Sequence, residues 1–182
     1  MASFIRPSKT ESTAALRAKS MLNAIAFFVI FMVALPWLAD WLGPLRIPLP
    51  QWPRAICSGV LICGGLAVWI VCADLFGRKG RGTPLPLDAP RHLVTTGPFA
   101  VIRNPIMAGE VAVVWGIALY RSSLGVILYA ILFALAGHLA VVKVEEPELR
   151  KRFGREYEDY CRRVPRWLPR FSQTASAARG SS

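Results

Sequence analysis

The chain has 182 residues, of which 54% are hydrophobic and 18% are charged, and its mean hydropathy is +0.41. This composition is too apolar for an ordinary soluble domain and predicts one compact polytopic membrane domain. The formal net charge of +11 would suit a nucleic-acid-binding protein. Most of the basic residues, however, fall on one predicted side of the membrane. Membrane orientation therefore explains the charge, and no nucleic-acid partner is expected.

Four apolar segments predict membrane-spanning helices, at residues 21–42, 55–76, 106–120 and 124–144. The third is short for a full span, which takes about 20 residues. Residues 1–20 are polar and basic and form a cytoplasmic arm. The apolar run after them lacks a small-residue cleavage site, which favours a retained helix over a removed signal peptide. The membrane domain therefore covers residues 21–171, and the Ser-, Ala- and Gly-rich residues 172–182 are predicted to be disordered.

The distribution of basic residues sets the expected orientation. Of the 22 Lys and Arg residues, three fall in the two loops on one side, namely Arg46, Arg54 and Arg121. The others lie in the N-terminal arm, in the connector 77–104, at Lys143 near the inner end of the fourth segment, or in the tail after it. This asymmetry predicts an inner or plasma membrane protein with both termini in the cytoplasm.

The connector 77–104 is rich in Gly and Pro and has neither a helical nor a strand periodicity. It ends at Arg103-Asn104-Pro105, where an N-cap residue is followed by a proline suited to the first helical position. The third segment is therefore predicted to begin here. Its N-terminus and Arg103 together form a positive corner that suits an anion or a carboxylate.

The tail 145–170 begins with Glu145-Glu146, where the fourth segment leaves the membrane. Pro147 follows, so the helix either restarts here or continues with a kink. Beyond it, apolar residues recur at three- and four-residue intervals with basic residues between them, which predicts an amphipathic cytoplasmic helix on the inner leaflet, interrupted at Gly154. The apolar stripe consists of Leu149, Phe153, Tyr157, Tyr160 and Val164.

The two adjacent glutamates have a structural and a functional interpretation. They can form ion pairs with Arg103, Arg150 or Lys143. Alternatively, they recognise a cation, such as a sulfonium methyl donor, or orient a protonated nucleophile. The predicted topology places them on the same side of the membrane as the Gly97–Pro105 stretch. The end of the connector and the start of the tail would then meet there and form one site.

An ordered set of motifs carries a family resemblance. It consists of residues 93–99 (LVTTGPF), Arg103-Asn104-Pro105, Glu145-Glu146, and residues 153–169 with Phe153-Gly154 and the closing VPRWLP. In this order they resemble the integral-membrane isoprenylcysteine carboxyl methyltransferases and their relatives among the phospholipid (phosphatidylethanolamine) N-methyltransferases. The match covers about half of the chain, residues 82–170.

The resemblance implies an all-α membrane fold of about four transmembrane helices plus the amphipathic tail helix, without a Rossmann sheet. It implies S-adenosyl-L-methionine-dependent methyl transfer to a lipid-like or apolar acceptor at the cytoplasmic face, with membrane lipids as partners. Glu145, Glu146 and Arg103 would be catalytic. The implied cofactor-binding residues are Leu93, Val94, Gly97, Pro98, Arg103, Asn104, Pro105, His138, Glu145 and Glu146.

Three positions depart from the family pattern. Asn104 stands where many members have His, and Met107 stands where many have Tyr. Val141 occupies the position of an arginine in the eukaryotic carboxyl methyltransferases. These differences favour a methyl acceptor other than a prenylcysteine carboxylate, such as a phospholipid amine, another lipid carboxylate or a small apolar thiol.

Other polar residues allow competing hypotheses. Glu110 lies one turn into the third segment, where it either pairs with an arginine, lines the site, or serves a small proton-coupled four-span transporter. His138 lies two turns before Glu145 and either lines the pocket or packs. A haem carrier with His92 and His138 as ligands is a third possibility. No metal site is expected, because the four cysteines contain no Cys-x-x-Cys pair and are interpreted as buried thiols.

Overall fold

The computed structural model describes residues 22–23, 25–75 and 92–169. The described part is helical and contains no strand or sheet. Helices and turns account for its regular structure: α1 Ile25–Leu42, α2 Gln51–Leu75, a 3-10 turn Gly97–Ala100, α3 Pro105–Arg121, α4 Leu124–Phe153 and α5 Arg155–Arg163. The predicted arm 1–20, connector residues 77–91 and the tail 172–182 lie outside the described residues.

Three helices are long and apolar enough to cross a membrane. These are α1, α2 and α4, with mean hydropathies of 2.1, 2.3 and 2.3 over their most apolar windows. Helix α3 has 17 residues, one turn or less short of a typical span. It nevertheless packs between α2 and α4 as the fourth helix of the bundle. The predicted all-α membrane fold is therefore confirmed.

Two helix boundaries differ from the predicted segments. Helix α2 begins at Gln51, four residues before the predicted start, because Pro53 lies in its first turn, where a proline removes no helical hydrogen bond. Helix α4 continues to Phe153 instead of ending near residue 144. A π-helical turn over Val141–Glu145 precedes Pro147, so the helix widens locally and continues past the proline.

Glycines allow α2 and α3 to pack with their backbones in contact. A Cβ placed on Gly109 would lie 2.8 Å from the carbonyl oxygen of Gly65, whereas a Cβ on Gly64 would meet nothing within 4 Å. The core beside this contact contains Val113 and Val114 of α3 and Phe133 of α4. Close approach at small residues is the usual way for membrane helices to associate.

The end of the bundle that carries the α1–α2 and α3–α4 loops is fixed by polar contacts. The buried Asp40 carboxylate accepts hydrogen bonds from Arg46 and Arg121. Arg54 donates to the hydroxyl of Ser122 at 2.9 Å. The three arginines predicted to share one side of the membrane thus lie at the same end of the molecule.

The tail forms a separate small core at the opposite end. Gly154, with φ of +52°, ends α4 and turns the chain into α5. All five residues of the predicted apolar stripe, together with Leu93 and Cys161, pack in one cluster. The periodicity in the sequence therefore identified the buried face of this segment correctly.

The cysteines differ in part from the sequence interpretation. All four are free thiols, and Cys72 is buried as expected. Cys57 and Cys63 are exposed on the outer surface of α2 instead of in the core. Because α2 is apolar throughout, its sequence does not distinguish the protein-facing side from the lipid-facing side.

Candidate active site

The end of the connector folds onto α2 and α5 through buried apolar residues. Val94 and Phe99 pack with Cys72 of α2, and the Tyr160 hydroxyl donates a 2.7 Å hydrogen bond to the Phe99 carbonyl oxygen. Gly97 begins the 3-10 turn with φ of +64°, where a Cβ would lie 2.7 Å from Cδ1 of Leu75. These contacts fix the chain just before Arg103.

Arg103 connects three parts of the molecule. Its backbone N–H donates to the Pro165 carbonyl oxygen at 2.9 Å. Its Nη1 lies 3.2 Å from Oε1 of Glu146 and 2.7 Å from the Cys161 sulfur, to which it donates. The side chain is 11% exposed. The connector, α4 and the tail therefore meet at this guanidinium.

Glu146 is the most heavily paired acidic residue at this end among those described. Its side chain is 1% exposed, and Arg166 binds both of its oxygens, with Nε–Oε1 at 2.7 Å and Nη2–Oε2 at 2.9 Å. Arg150 lies 3.5 Å away on the same helix face. The hydrogen bonds that Arg166 donates to the Glu146 carboxylate raise the pKa of Arg166. Three guanidinium groups thus share one carboxylate, which leaves this cluster with a positive surplus.

Glu145 lies on a different face of α4. Successive residues of a helix point about 100° apart, and Glu145 closes the π-helical turn with an exposed side chain. Within the described ranges it has neither an ion pair nor a hydrogen bond. It interacts electrostatically with Glu110 of α3, which also contacts the Trp69 side chain. The two adjacent glutamates therefore have different surroundings. Arginines neutralise the charge of Glu146, whereas the carboxylate of Glu145 has no basic partner among the described residues and is available to a ligand.

Asn104 occupies the N-cap position of α3, as predicted, but its side chain makes no capping hydrogen bond. Its carbonyl oxygen accepts the Ala108 N–H at 3.1 Å, and Pro105 follows at the first helical position. The residue is 7% exposed. In the part of the chain that the structure describes, its Nδ2 and the Nε of Arg103 are buried without a hydrogen-bond partner.

His138 lies about two turns before the glutamates on α4. Its Nδ1 accepts a 3.1 Å hydrogen bond from Nε1 of Trp167, and the two ring centroids are 5.8 Å apart. The tail segment 164–169 therefore runs back along α4, contacting Arg103, then Glu146, then His138. His92 lies in the connector with an exposed side chain.

The structure brings most of the sequence-predicted residues to one end of the bundle. Arg103 meets Glu146 directly, and Asn104 and Pro105 follow Arg103 at the start of α3. Gly97 and Pro98 are joined to the tail through Phe99 and Tyr160. Glu145 points elsewhere, and His138 is linked only through Trp167. Leu93 and Val94 lie in the two adjoining apolar clusters.

Several residues that build this region were not among the predicted site residues. Arg166 and Cys161 contact the central ion pair, and Tyr160 holds the connector. One signal for Arg166 was present, since it lies within the quoted VPRWLP motif. Nothing in the spacing of Cys161 pointed to Arg103, because the contact depends on how α5 turns at Gly154.

Comparison with known proteins gives a consistent result. The model of the phospholipid methyltransferase family matches residues 54–156. The cobalt-zinc-cadmium resistance protein CzcN of Cupriavidus metallidurans is 30% identical over 138 residues, which cover 75% of this chain and 55% of that protein. Methanethiol S-methyltransferase 2 of Bradyrhizobium diazoefficiens is 31% identical over 142 residues, covering 68% and 51%.

A third relative is the phosphatidylethanolamine N-methyltransferase of Yarrowia lipolytica, 30% identical over 120 residues, covering 64% of this chain and 12% of that protein. The chain spans about half the length of the two bacterial relatives. The family match covers more than half of the chain and includes α2, α3 and α4, whose ends form the candidate site. This chain belongs to the phospholipid methyltransferase family.

Proposed function

We propose that this protein transfers a methyl group from S-adenosyl-L-methionine to a lipid-like or apolar acceptor at the cytoplasmic face of the membrane. The observation that carries the proposal is the 3.2 Å contact between Arg103 and Glu146. It closes the Gly97–Pro105 stretch against the point where α4 passes into the tail. The site then lies where a polar donor arrives from water and an apolar acceptor arrives from the bilayer.

The residues at this end fit the donor by charge. S-adenosyl-L-methionine carries a carboxylate, an amino group and a positively charged sulfur. The guanidinium surplus around Glu146 and the N-terminus of α3 suit the carboxylate. The available carboxylate of Glu145 suits a cation. Leu93, Val94, Gly97 and Pro98 supply apolar and backbone surface at the same end, and His138 with Trp167 closes the far side of the tail segment.

The chemistry asked of the protein is modest. Bound at this site, the donor supplies an electrophilic methyl group on sulfur. The chain must align the acceptor with that methyl group and exclude water. Arg103 and Arg166 hold Glu146 in one position, which fixes the tail over the connector. Glu145 either binds the donor amino group or accepts a proton from an amine acceptor.

An apolar groove offers the acceptor a lateral route. It lies between α2 and α3, has a volume of about 220 Å³, and reaches Ile102 and Pro105 at its inner end. Its walls carry small residues, including Gly64, Gly65 and Ala108. The names of two relatives specify a thiol and a phospholipid amine as acceptors. We propose an acceptor of this range: a phospholipid amine, a lipid carboxylate or a small apolar thiol.

The proposed orientation places both termini in the cytoplasm. Arg46, Arg54 and Arg121 lie at the end opposite the candidate site, and the arginines of the tail surround the site itself. Cytoplasmic loops carry the excess of Lys and Arg in membrane proteins. The site then faces the compartment in which S-adenosyl-L-methionine is made.

The direct test is incubation of the purified protein with methyl-labelled donor and a total lipid extract, and identification of the labelled product by mass spectrometry. Glu145→Gln serves as the inactive reference, and Glu148→Gln as the matched control, because Glu148 is exposed and pairs only with Lys151 among the described residues. We expect label in one apolar product class with wild type and Glu148→Gln. Equal labelling by Glu145→Gln, or no labelling by any variant with lipids or apolar thiols, would refute the proposal.

A further inference from the structure

The end of the bundle opposite the candidate active site carries an unbalanced charge. Residues 35–54 and 115–128 contain three arginines, Arg46, Arg54 and Arg121, and one acidic residue, Asp40. Three positive charges and one negative charge leave a surplus of two. In the predicted orientation, this is the side on which membrane proteins carry few basic residues. We propose that this end binds the phosphate group of an anionic phospholipid in the leaflet that surrounds it.

The pairing of Asp40 accounts for only part of this charge. Its buried carboxylate accepts hydrogen bonds from both Arg46 and Arg121, although one arginine would neutralise it. The side chains of Arg46 and Arg121 are still 48% and 45% exposed. An arginine has five N–H donors, and Arg121 uses two of them in the described structure. Both guanidinium groups therefore keep a face that can bind a second anion.

Arg54 has no acidic partner among the described residues. Its Nη1 donates a 2.9 Å hydrogen bond to the hydroxyl oxygen of Ser122, which is the one side-chain bond that its guanidinium makes within the described part of the chain. Because Ser122 is neutral, this bond positions the Arg54 side chain without compensating its charge. Arg54 therefore supplies an uncompensated cation beside the Asp40 cluster.

The two loops that carry these arginines are joined through their backbones. The N–H of Ile47 donates to the carbonyl oxygen of Ser122 at 2.8 Å, and the N–H of Leu124 donates to the carbonyl oxygen of Leu45 at 2.9 Å. These bonds fasten the α1–α2 loop to the α3–α4 loop. The three guanidinium groups are therefore held near one another before a ligand arrives, which lowers the entropic cost of binding.

Three tryptophans at this end indicate that the anion belongs to a lipid. Trp37 and Trp41 lie one turn apart near the end of α1, and Trp52 lies in the first turn of α2. Their exposed fractions are 68%, 69% and 74%. Exposed tryptophans of membrane proteins lie at the level of the lipid headgroups, where phosphates are concentrated, and guanidinium groups suit phosphate oxygens. This inference does not depend on the proposed methyl transfer.

The first experiment uses the full chain in phosphatidylcholine nanodiscs that contain a small fraction of brominated lipid, which quenches tryptophan fluorescence on contact. Brominated phosphatidylglycerol should quench the wild type more strongly than brominated phosphatidylcholine at the same mole fraction. The excess should disappear in the triple variant Trp37→Phe/Trp41→Phe/Trp52→Phe. It should persist in Trp167→Phe, because Trp167 lies at the other end, beside His138. Equal quenching of wild type by the two lipids, or an excess that survives the triple variant, would overturn the proposal.

The second experiment tests the arginines by the same readout. Arg54→Gln should lower the preference for phosphatidylglycerol about fivefold, the effect of one basic residue at an anionic surface. Arg54→Lys keeps the charge and should stay within about twofold of wild type; an equal loss in both variants would overturn the proposal, because the Ser122 contact alone would then matter.

Arg155→Gln is the matched control, since it removes one positive charge from an exposed position of α5 at the opposite end. It should also stay within about twofold of wild type. A loss equal to that of Arg54→Gln would overturn the proposal, because the preference would then reflect general electrostatics. Inorganic phosphate, added at constant ionic strength, should leave the preference unchanged, and displacement of the lipid by it would overturn the assignment to a phospholipid.

Discussion

Nη1 of Arg103, at the end of the connector, lies 3.2 Å from Oε1 of Glu146, on the last turns of α4. The two residues are far apart in the sequence and belong to different elements. Their contact is reinforced by Arg166, which binds both oxygens of the same carboxylate. The ion pair therefore determines how the connector, α4 and the tail close on one another, and it distinguishes the two adjacent glutamates.

Glu146→Gln should destabilise the protein. The Glu146 side chain is 1% exposed and has three arginine partners, which gives it a structural role. Removing one partner of a buried ion pair leaves uncompensated charge and costs about 3 kcal/mol. The measurement is thermal or denaturant unfolding in detergent. An unchanged midpoint would show that the cluster is not stabilising.

Glu145→Gln should have the opposite profile. Its side chain is exposed, and in the described structure it has no ion-pair partner. The unfolding midpoint should therefore stay within about 0.5 kcal/mol of wild type, as for other exposed positions. Methyl transfer should fall at least tenfold, because the variant lacks the carboxylate that would bind the donor amino group or accept the proton of an amine acceptor. Full activity would remove Glu145 from the proposed site, and a large loss of stability would mean that it has an unrecognised structural role.

Gly97→Ala should destabilise the connector. The φ of +64° is unfavourable for a residue with a Cβ, and that Cβ would lie 2.7 Å from Leu75. The expected cost is about 1–2 kcal/mol. Gly59→Ala is the control, because its Cβ would meet nothing within 4 Å and alanine favours a helix by up to about 1 kcal/mol. Unfolding midpoints of the two variants should move in opposite directions; parallel shifts would contradict the described turn.

The tail core should lose stability at alkaline pH. Burial raises the pKa of Tyr160 above its ordinary value of about 10, and Tyr157 behaves in the same way. The unfolded chain therefore ionises first, so stability is full below pH 10 and declines as the pH rises through the pKa values of the folded state. The measurement is unfolding midpoint against pH, with Tyr160→Phe for comparison. Removing the hydroxyl also deletes its hydrogen bond to Phe99, at a cost of about 1 kcal/mol, and should flatten the alkaline decline.

Much of the fold could be predicted from hydropathy and periodicity. The apolar stripe of the tail, from Leu149 to Val164, was identified because a buried helical face repeats every three to four residues. The start of α3 at Pro105 followed from local backbone chemistry. The continuation of α4 through Pro147 could not be predicted, because the π-helical turn that accommodates it depends on tertiary packing.

The position of the candidate site residues at one end of the bundle could be predicted in outline, but their contacts with one another could not. Positive-inside counting placed Arg103 and Glu146 at the same membrane surface, which made their contact a reasonable expectation. The different surroundings of Glu145 and Glu146 depend on the rotation of α4, which an apolar helix does not encode in its pattern. The role of Arg166 depends on the tail folding back along α4, and that path is set by Gly154 and by the Trp167–His138 contact.

The most direct test of the proposed donor site is photo-crosslinking with tritiated S-adenosyl-L-methionine, followed by mapping of the labelled peptides. We expect label within residues 92–110 or 138–167, abolished by excess S-adenosylhomocysteine and reduced in Glu145→Gln. Label found only at the opposite end, in residues 35–54 or 115–128, and abolished by excess S-adenosylhomocysteine, would contradict a donor site between Arg103 and the end of α4.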